Sequence, residues 1–393
     1  MTTDRALADL AHALADLEHP TKVETSEWAR ENLADRDMVV ADHSSSFAFE
    51  DWQRCAQRGL FGLFVPTELG GAGDDLATAL LTLEGLGHGC ADNGLTYAVA
   101  SQLLSSQVAL VRFGTPEQQQ RWLPGLLDGS SFAAFAMTEL ESGSDAFAMA
   151  ASAERRDDGS YLLNGRKEYI TFAPYCDLAI VFASTRPDAG SWGISAFLVD
   201  TRSAGVERGA IREKMGMRTT PFGDLEFTNV EVPAENRLGR EGAGASIFSS
   251  VLDTERSYVF APLIGAMERQ LDQTIAFAKT RRQGGQPIAA YQAVAHRIVA
   301  MKERHERARL FLYRAAIAEA SGRHVPMAAS LAKIVGGDAC IESSLDAATL
   351  HGARGYVTEF EVERVYRDSI AGLTFSGSSD VLRNVIARLL GVG

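Results

Sequence analysis

One helical stretch places a carboxylate on a face that is otherwise apolar. Glu255 stands four residues from Val251 and four from Val259, and residues four apart share one face of a helix. A carboxylate on such a face is partly desolvated, which raises its pKa and makes it a stronger base once ionised. Such a carboxylate could abstract a proton, but the pattern alone favours a solvated glutamate or a structural ion pair with Arg256.

A second group of small and polar residues lies near the C-terminus. Residues 350–388, LHGARGYVTEFEVERVYRDSIAGLTFSGSSDVLRNVIAR, join two glycine-rich turns to a charged helix and a final amphipathic helix. Glycines and small hydroxyls in such turns let backbone amides approach a large, phosphate-bearing molecule. Two ordinary turns between helices are the alternative.

Two polar strings upstream could also face a ligand. FAMTELESGSD (135–145) ends in a tight polar turn, and NGRKEYITFA (164–173) carries Tyr169 and Thr171. The period of two in a strand puts Tyr169 and Thr171 on the same face. A solvated turn and a half-buried strand are the corresponding alternatives.

The elements that must position these residues fall into three parts. Residues 1–130 show helical periodicity, 131–245 show alternating β-branched runs with turns, and 246–393 return to long helical segments. The sequence predicts an α+β chain with an N-terminal α-helical domain, a middle β domain and a C-terminal four-helix bundle. Within it we expect a hairpin at residues 157–159, a last strand that ends at Val232, and one helix from near Ser246 through Leu271.

Composition limits the partners. The chain has 393 residues, 46% hydrophobic and 23% charged, with a formal net charge of −13, which argues against nucleic acid and anionic membranes. It contains no long apolar run, and its N-terminus is amphipathic and acidic, unlike a signal peptide. Four well-separated cysteines suit a reducing compartment, so we expect the cytoplasm and no metal site.

The string GARGYVTEFEVERVYRD, followed by SGSSDVLRNVIAR, resembles the C-terminal signature of the acyl-CoA dehydrogenase flavoproteins. The order of helical, β and helical parts is similar to that family over essentially the whole chain. In much of the family a loop glutamate removes the α-proton of the substrate, but Ser376 stands at that position here. In the isovaleryl-CoA and long-chain branches the base precedes an arginine, as in Asp253-Thr254-Glu255-Arg256. The resemblance therefore implies Glu255 as the catalytic base.

The resemblance also implies FAD as the cofactor. The residues it assigns to FAD are Met137, Thr138, Gly143, Ser144, Tyr169, Thr171, Arg281, Gln292, Gly352, Ser378 and Asp380. The residues it assigns to the substrate are Ser144, Arg256, Ser376 and Gly377, and part of residues 95–104 is expected to line the substrate pocket. Arg281 would reach the pyrophosphate of an FAD bound mainly by a neighbouring subunit. Four positions in the motifs of the FAD contacts depart from the family pattern: Gly284 replaces an aromatic residue, Tyr291 a phenylalanine, Thr349 a glutamine and Ala353 a glycine.

The reaction that the resemblance implies is α,β-dehydrogenation of an acyl thioester. Glu255 would take the α-proton, a hydride would pass from the β-carbon to flavin N5, and the Ser376 amide would help polarise the thioester carbonyl. The thioester could be on coenzyme A or on a carrier protein, the electron acceptor could be an electron-transfer flavoprotein or oxygen, and a homotetramer or homodimer is expected. A flavin monooxygenase of the same fold and a non-catalytic acyl-thioester-binding protein are the alternatives.

Overall fold

Helices form the first third of the chain. A computed structural model describes residues 3–33, 36–323 and 325–392. The helices of the first part are α1 (Thr3–Ala15), α2 (Pro20–Asn32), α3 (Met38–Ser44), α4 (Phe49–Gln57), α5 (Leu76–Gly89), α6 (Asn93–Ser101), α7 (Val108–Phe113) and α8 (Pro116–Leu127). Helix α8 begins with a capping box between Thr115 and Gln118 and with Pro116 in its first turn, and both features favour the start of a helix.

A π-helical segment, Gln102–Gln107, joins α6 to α7 as one continuous helix. Single π turns are rare and often mark functional sites. All six residues of the segment are buried. The Gln102 amide donates to the Leu126 carbonyl and accepts from the Ala133 amide, so it fastens the segment to its surroundings.

The middle part is a sheet. Its strands are β1 (Ala133–Ala136), β2 (Ser152–Arg155), β3 (Tyr161–Thr171), β4 (Leu178–Ser184), β5 (Ile194–Asp200), β6 (Val206–Arg208), β7 (Phe222–Val232) and β8 (Arg237–Leu238). The order is β6-β7-β3-β2-β4-β5-β8, with β1 parallel to β4. Antiparallel β2 and β3 confirm the hairpin at residues 157–159. Strand β7 ends at Val232 as predicted, but β8 follows it, so the prediction that the last strand ends there is wrong.

The last part is again helical. Its elements are α9 (Gly244–Tyr258), α10 (Ala261–Thr280), a small hairpin of β9 (Arg282–Gln283) and β10 (Gln286–Pro287), α11 (Gln292–Ala320), α12 (Pro326–His351), α13 (Val362–Ile370) and α14 (Ser379–Leu389). Helices α10, α11 and α12 pack on one another, and α9 and α14 pack on α12. The predicted single helix through Leu271 is wrong, because the chain breaks between Tyr258 and Ala261. Pro262 stands in the first turn of α10, where its missing N–H is tolerated.

Close contacts fix the first helical part against the last. Helix α5 packs along α10, and a Cβ on Gly87 would lie 1.7 Å from the Pro262 carbonyl oxygen, so only glycine permits this approach. A fully buried ion pair of 2.6 Å between Glu84 and Arg309 joins α5 to α11. Within the described ranges no helix has both the length and the apolar character to cross a membrane. No group of three or more potential metal ligands occurs among these same residues.

Candidate active site

Glu255 lies in the last turn of α9 and is only 8% exposed, while Val251 and Val259 on the same face are fully buried. The Ser376 hydroxyl donates a hydrogen bond of 2.6 Å to Glu255 Oε1. Burial raises the pKa of Glu255 above its ordinary value, and the Ser376 hydrogen bond and the Arg256 charge oppose that rise. The site therefore holds a desolvated carboxylate that can accept a proton.

Arg256 anchors the loop that carries Ser376. Its Nε donates to the Ser376 carbonyl oxygen at 2.9 Å, and its ion pair runs to Asp253 at 3.8 Å. A Cβ on Gly377 would lie 3.3 Å from Arg256 Nη2, and Gly377 has φ of 91°. Because Arg256 fixes the loop, it also fixes the hydroxyl that binds the Glu255 carboxylate.

Tyr97 on α6 joins the carboxylate to the sheet. Burial raises the pKa of Tyr97, the charge of Glu255 adds to the rise, and a hydrogen bond with the Thr171 side chain opposes it. The Tyr97 ring lies 5.0 Å from the ring of Phe375, the residue before Ser376. Tyr97 falls within residues 95–104, where a substrate pocket is expected, but nothing in the local sequence pattern distinguishes it from a core tyrosine.

A buried ion pair supports the polar loop after β1. Lys167 Nζ lies 2.7 Å from Glu139 Oε1 and donates to the Met137 carbonyl at 3.0 Å, and the Glu168 amide donates to the Thr138 carbonyl at 2.9 Å. Burial lowers the pKa of Lys167 to about 8, although Glu139 opposes this shift. Sequence reasoning missed this pair, since its two members lie on different elements.

An open face lies beside this loop. Tyr169 is 43% exposed at φ of 62°, Ile170 is buried and Thr171 is half-buried, so Tyr169 and Thr171 share the less buried side of β3. A β-bulge between Lys167 and Ile170 bends this end of the strand and changes the direction of its side chains. The nearby turn at Gly143 and Ser144 is exposed, and a Cβ on Gly143 would meet nothing within 4 Å. The face thus offers a partly exposed aromatic ring, with the Arg212 guanidinium 4.7 Å from its centre, and a hydroxyl on the same side of the strand.

The other predicted cofactor residues lie on the C-terminal helices. Ser378 caps α14 by accepting from the Val381 amide at 3.3 Å, and Asp380 is exposed and pairs with Arg383 at 2.8 Å. Three further residues are exposed, at the end of α10, the start of α11 and the end of α12: Arg281, Gln292 and Gly352. No hydrogen bond or ion pair between described residues joins these three to Glu255.

The two departures at positions 284 and 291 compensate each other. Tyr291 Oη donates to the Gln283 carbonyl at 3.0 Å. Gly284 has φ of 56°, and a Cβ there would lie 2.4 Å from Tyr291 Oη. A side chain at position 284 would clash with the Tyr291 hydroxyl, so the glycine makes room for the tyrosine.

Three family models match successive parts of the chain. Acyl-CoA dehydrogenase, N-terminal domain, matches residues 19–130, the middle domain matches 134–230, and the C-terminal domain matches 242–391.

Individual relatives match nearly the full length. The L-prolyl-[peptidyl-carrier protein] dehydrogenase of Pseudomonas fluorescens is 39% identical and covers 89% of this chain and 92% of its own. The caffeyl-CoA reductase-Etf complex subunit CarC of Acetobacterium woodii is 36% identical, over 93% of this chain and 95% of its own. The solved structure of PigA with FAD and proline is 32% identical with a TM-score of 0.90, over 95% of this chain and 97% of that one.

The fold and the matches define an oxidoreductase built from two helical domains around a β domain. The chain belongs to the acyl-CoA dehydrogenase family. The predicted three-domain architecture, FAD as cofactor and the class of FAD-dependent dehydrogenases acting on acyl thioesters are thereby confirmed. The open face with Tyr169, Thr171 and the uncovered turn at Gly143 fits the flavin.

Proposed function

We propose that this chain oxidises the Cα–Cβ bond of an acyl thioester with Glu255 as the base. The observation that carries the proposal is the 2.6 Å hydrogen bond from Ser376 to Glu255 Oε1. Ser376 stands at the usual position of the base, and its hydroxyl binds a group that can replace the missing carboxylate, the buried Glu255 side chain. A non-catalytic binding protein would need neither the carboxylate nor its desolvation.

Each residue then has a definite task. Glu255 Oε1 is held by Ser376, and Oε2 takes the α-proton as the C=C bond forms. FAD, when bound, accepts the β-hydrogen with its electron pair. Arg256 holds the Ser376 loop through its 2.9 Å bond to the carbonyl oxygen, which leaves the Ser376 amide to face the thioester oxygen. Tyr97 helps to exclude water, which strengthens the base.

The ligand contacts follow the open face and the C-terminal helices. We assign FAD to Met137, Thr138, Gly143, Ser144, Tyr169, Thr171, Arg281, Gln292, Gly352, Ser378 and Asp380. We assign the substrate to Ser144, Arg256, Ser376 and Gly377. Exposed Arg281 suits a pyrophosphate because its planar fork matches phosphate oxygens.

The thioester that we propose is on a carrier protein. The relative from P. fluorescens supports this assignment, because its name specifies a peptidyl-carrier protein. We propose an electron-transfer flavoprotein as the acceptor, with support from the name of the Etf complex subunit CarC, and oxygen is the alternative.

We also propose a homotetramer or a homodimer in the cytoplasm. Large apolar side chains on the C-terminal helices support self-association, since Val299, Leu310 and Leu345 are each at least half exposed. The exposure of Arg281 agrees with a contact to the FAD of a neighbouring subunit. The four cysteines, all within the described ranges, are buried free thiols, as a reducing compartment favours.

Anaerobic bleaching of the oxidised flavin band tests the proposal. Acyl thioesters on a carrier protein and on coenzyme A are mixed with the native holoenzyme and with Glu255→Gln. We expect bleaching by the carrier-bound thioester and a loss of at least about 1,000-fold in its rate in the variant. The flavin content of the two proteins must match. Bleaching of the variant at the native rate would show that Glu255 is not the base. Faster bleaching by the coenzyme A thioester than by the carrier-bound thioester would overturn the carrier assignment.

A further inference from the structure

Lys333 on α12 is a buried cation. The residue has no exposed surface, and its ammonium nitrogen Nζ has no hydrogen-bond partner among the described residues. A charge that is taken out of water in this way costs stability unless its surroundings compensate it. The position of Lys333 therefore needs a reason other than packing.

The ammonium lies behind the loop that carries Ser376. Lys333 Nζ is 5.9 Å from the centre of the ring of Phe375, the residue directly before Ser376. A cation over an aromatic ring is attracted by the ring quadrupole, and the attraction is stronger when both groups are desolvated. Arg256, whose Nε donates to the Ser376 carbonyl oxygen, is the second cation at this loop. Two positive charges therefore border the loop that we assign to the thioester oxygen.

The backbone of this loop is strained. Ser376 has φ of 55° and Gly377 has φ of 91°, and a residue with a Cβ rarely adopts the left-handed region. Strained residues persist where the contacts around them hold them in place. The bond from Arg256 holds the loop from one side, and Phe375 with Lys333 behind it holds the loop from another.

Close packing keeps the Phe375 ring beside the ammonium. The rings of Tyr97 and Phe260 lie 5.0 Å and 5.2 Å from the Phe375 ring. A Cβ on Gly336 or on Gly372 would lie 3.0 Å from an atom of the Phe260 ring, closer than ordinary contact. Because these two glycines let Phe260 approach α12, the ring stack is fixed relative to Lys333 on the same helix.

We propose that Lys333 is a positioning residue for the dehydrogenation, with a charge that acts through the Phe375 ring and the Ser376 loop. The ammonium holds Phe375, and Phe375 fixes the backbone of Ser376. The positive charge behind the loop favours the negative charge that develops on the thioester oxygen as the α-proton leaves. The inference rests on the proposed function, because it needs the transfer of that proton to Glu255.

Lys333→Met removes the charge and keeps most of the volume of the side chain. The probe is whichever acyl thioester, carrier-bound or on coenzyme A, bleaches the flavin of the native holoenzyme faster under anaerobic conditions. We expect the limiting rate of bleaching to fall at least about 10-fold in the variant with an unchanged half-saturating concentration, because the charge acts on the transition state. A native rate in Lys333→Met would overturn the inference and leave the proposed function intact. A native holoenzyme that no thioester bleaches would overturn both.

The pH dependence separates the charge of Lys333 from its volume. Burial lowers the pKa of Lys333 to about 8, Arg256 on α9 and Arg383 on α14 add to the fall, and Asp338 on α12 opposes it. The native protein therefore loses the ammonium as the pH rises through that value, while Lys333→Met is neutral throughout. We expect the ratio of the native rate to the variant rate to fall towards one at higher pH, and all other ionisable groups cancel in this ratio. A ratio independent of pH would assign Lys333 a packing role and overturn the inference.

A double variant tests the path through Phe375. Phe375→Leu keeps an apolar side chain and removes the ring. We expect Lys333→Met/Phe375→Leu to be no slower than the slower of the two single variants, because the two residues act as one unit. Rate losses that multiply in the double variant would show that Lys333 does not act through the ring and would overturn the proposed path.

Denaturant unfolding and a control on the same helix complete the test. Lys333→Met should unfold at a denaturant concentration no lower than the native protein, because it removes a buried charge. Ser330→Ala removes a buried hydroxyl, also without a hydrogen-bond partner among the described residues, from the preceding turn of α12, and it should keep the native rate. A lower unfolding midpoint and loss of bound flavin in Lys333→Met, or an equal loss of rate in Ser330→Ala, would assign this part of α12 to packing alone and overturn the inference.

Discussion

Ser376 Oγ and Glu255 Oε1 lie 2.6 Å apart, although the two residues are 121 positions apart in the sequence. The loop position and the helix position therefore reach the same point in space. On the proposed assignment of Glu255 as the base, a carboxylate placed at either position would address the same substrate carbon. This contact gives a physical reason why the base can move between the two positions within one fold.

Exchanging the two residues tests that relationship. We expect Glu255→Ser to lose activity. The double variant Glu255→Ser/Ser376→Glu should be at least about 10-fold more active than Glu255→Ser, because its new carboxylate belongs to the residue that contacts position 255. The measurement is the rate of anaerobic flavin bleaching by the substrate thioester. A double variant as inactive as Glu255→Ser, yet with normal flavin content, would show that the two positions do not address the same carbon.

The Ser376 hydrogen bond also affects the titration of Glu255, the proposed base. Burial raises the pKa of Glu255 and the hydrogen bond from Ser376 lowers it, because the bond favours the charged carboxylate. Ser376→Ala removes that donor, so the pKa should rise further. A base is active above its pKa, and we therefore expect the acid limb of the pH–rate profile to move to higher pH.

The control for the pH profile is Ser343→Ala, which removes a buried hydroxyl from α12. Its acid limb should match that of the native protein. A shift of the Ser376→Ala limb to lower pH would mean that Ser376 does not stabilise the carboxylate.

Some of this site could be predicted from the sequence. The spacing of Val251, Glu255 and Val259 placed the glutamate on a buried face because helical periodicity depends only on local sequence. The break before α10 was missed although Pro262 is a helix-start signal, since the apolar period continues through it.

The contacts between distant elements could not be predicted. Tyr97 comes near enough to feel the charge of Glu255 only after α6, α9 and β3 have packed together. Likewise, Lys167 and Glu139 look like two surface charges in the sequence, and only the fold shows that they are buried as a pair. Local patterns contain no information on such packing.

The Lys167–Glu139 pair should be essential for the stability of the polar loop after β1. Lys167→Met leaves Glu139 buried without its cationic partner, with the Ala150 and Ala151 amides still donating to it, and breaking a buried pair on one side costs about 3–5 kcal/mol. We expect a fall of that size in the free energy of unfolding, measured with denaturant, together with weaker FAD retention. The double variant Lys167→Met/Glu139→Gln should recover part of the loss, and the same loss in both would contradict the pairing argument.

Tyr291 should take over the role of the aromatic residue that position 284 lacks. Its hydroxyl lies 2.4 Å from the place that a Cβ of residue 284 would take, and Arg281, which we assign to the FAD pyrophosphate, is on the same turn. Tyr291→Ala removes this aromatic surface, so we expect FAD to bind about 10-fold more weakly, as loss of one ring contact predicts. Reconstitution of the apoprotein with FAD measures the affinity.

The double variant Gly284→Phe/Tyr291→Ala should regain part of the FAD affinity, because the new ring would start from the place that the tyrosine vacates. Native affinity in Tyr291→Ala would remove Tyr291 from the cofactor site.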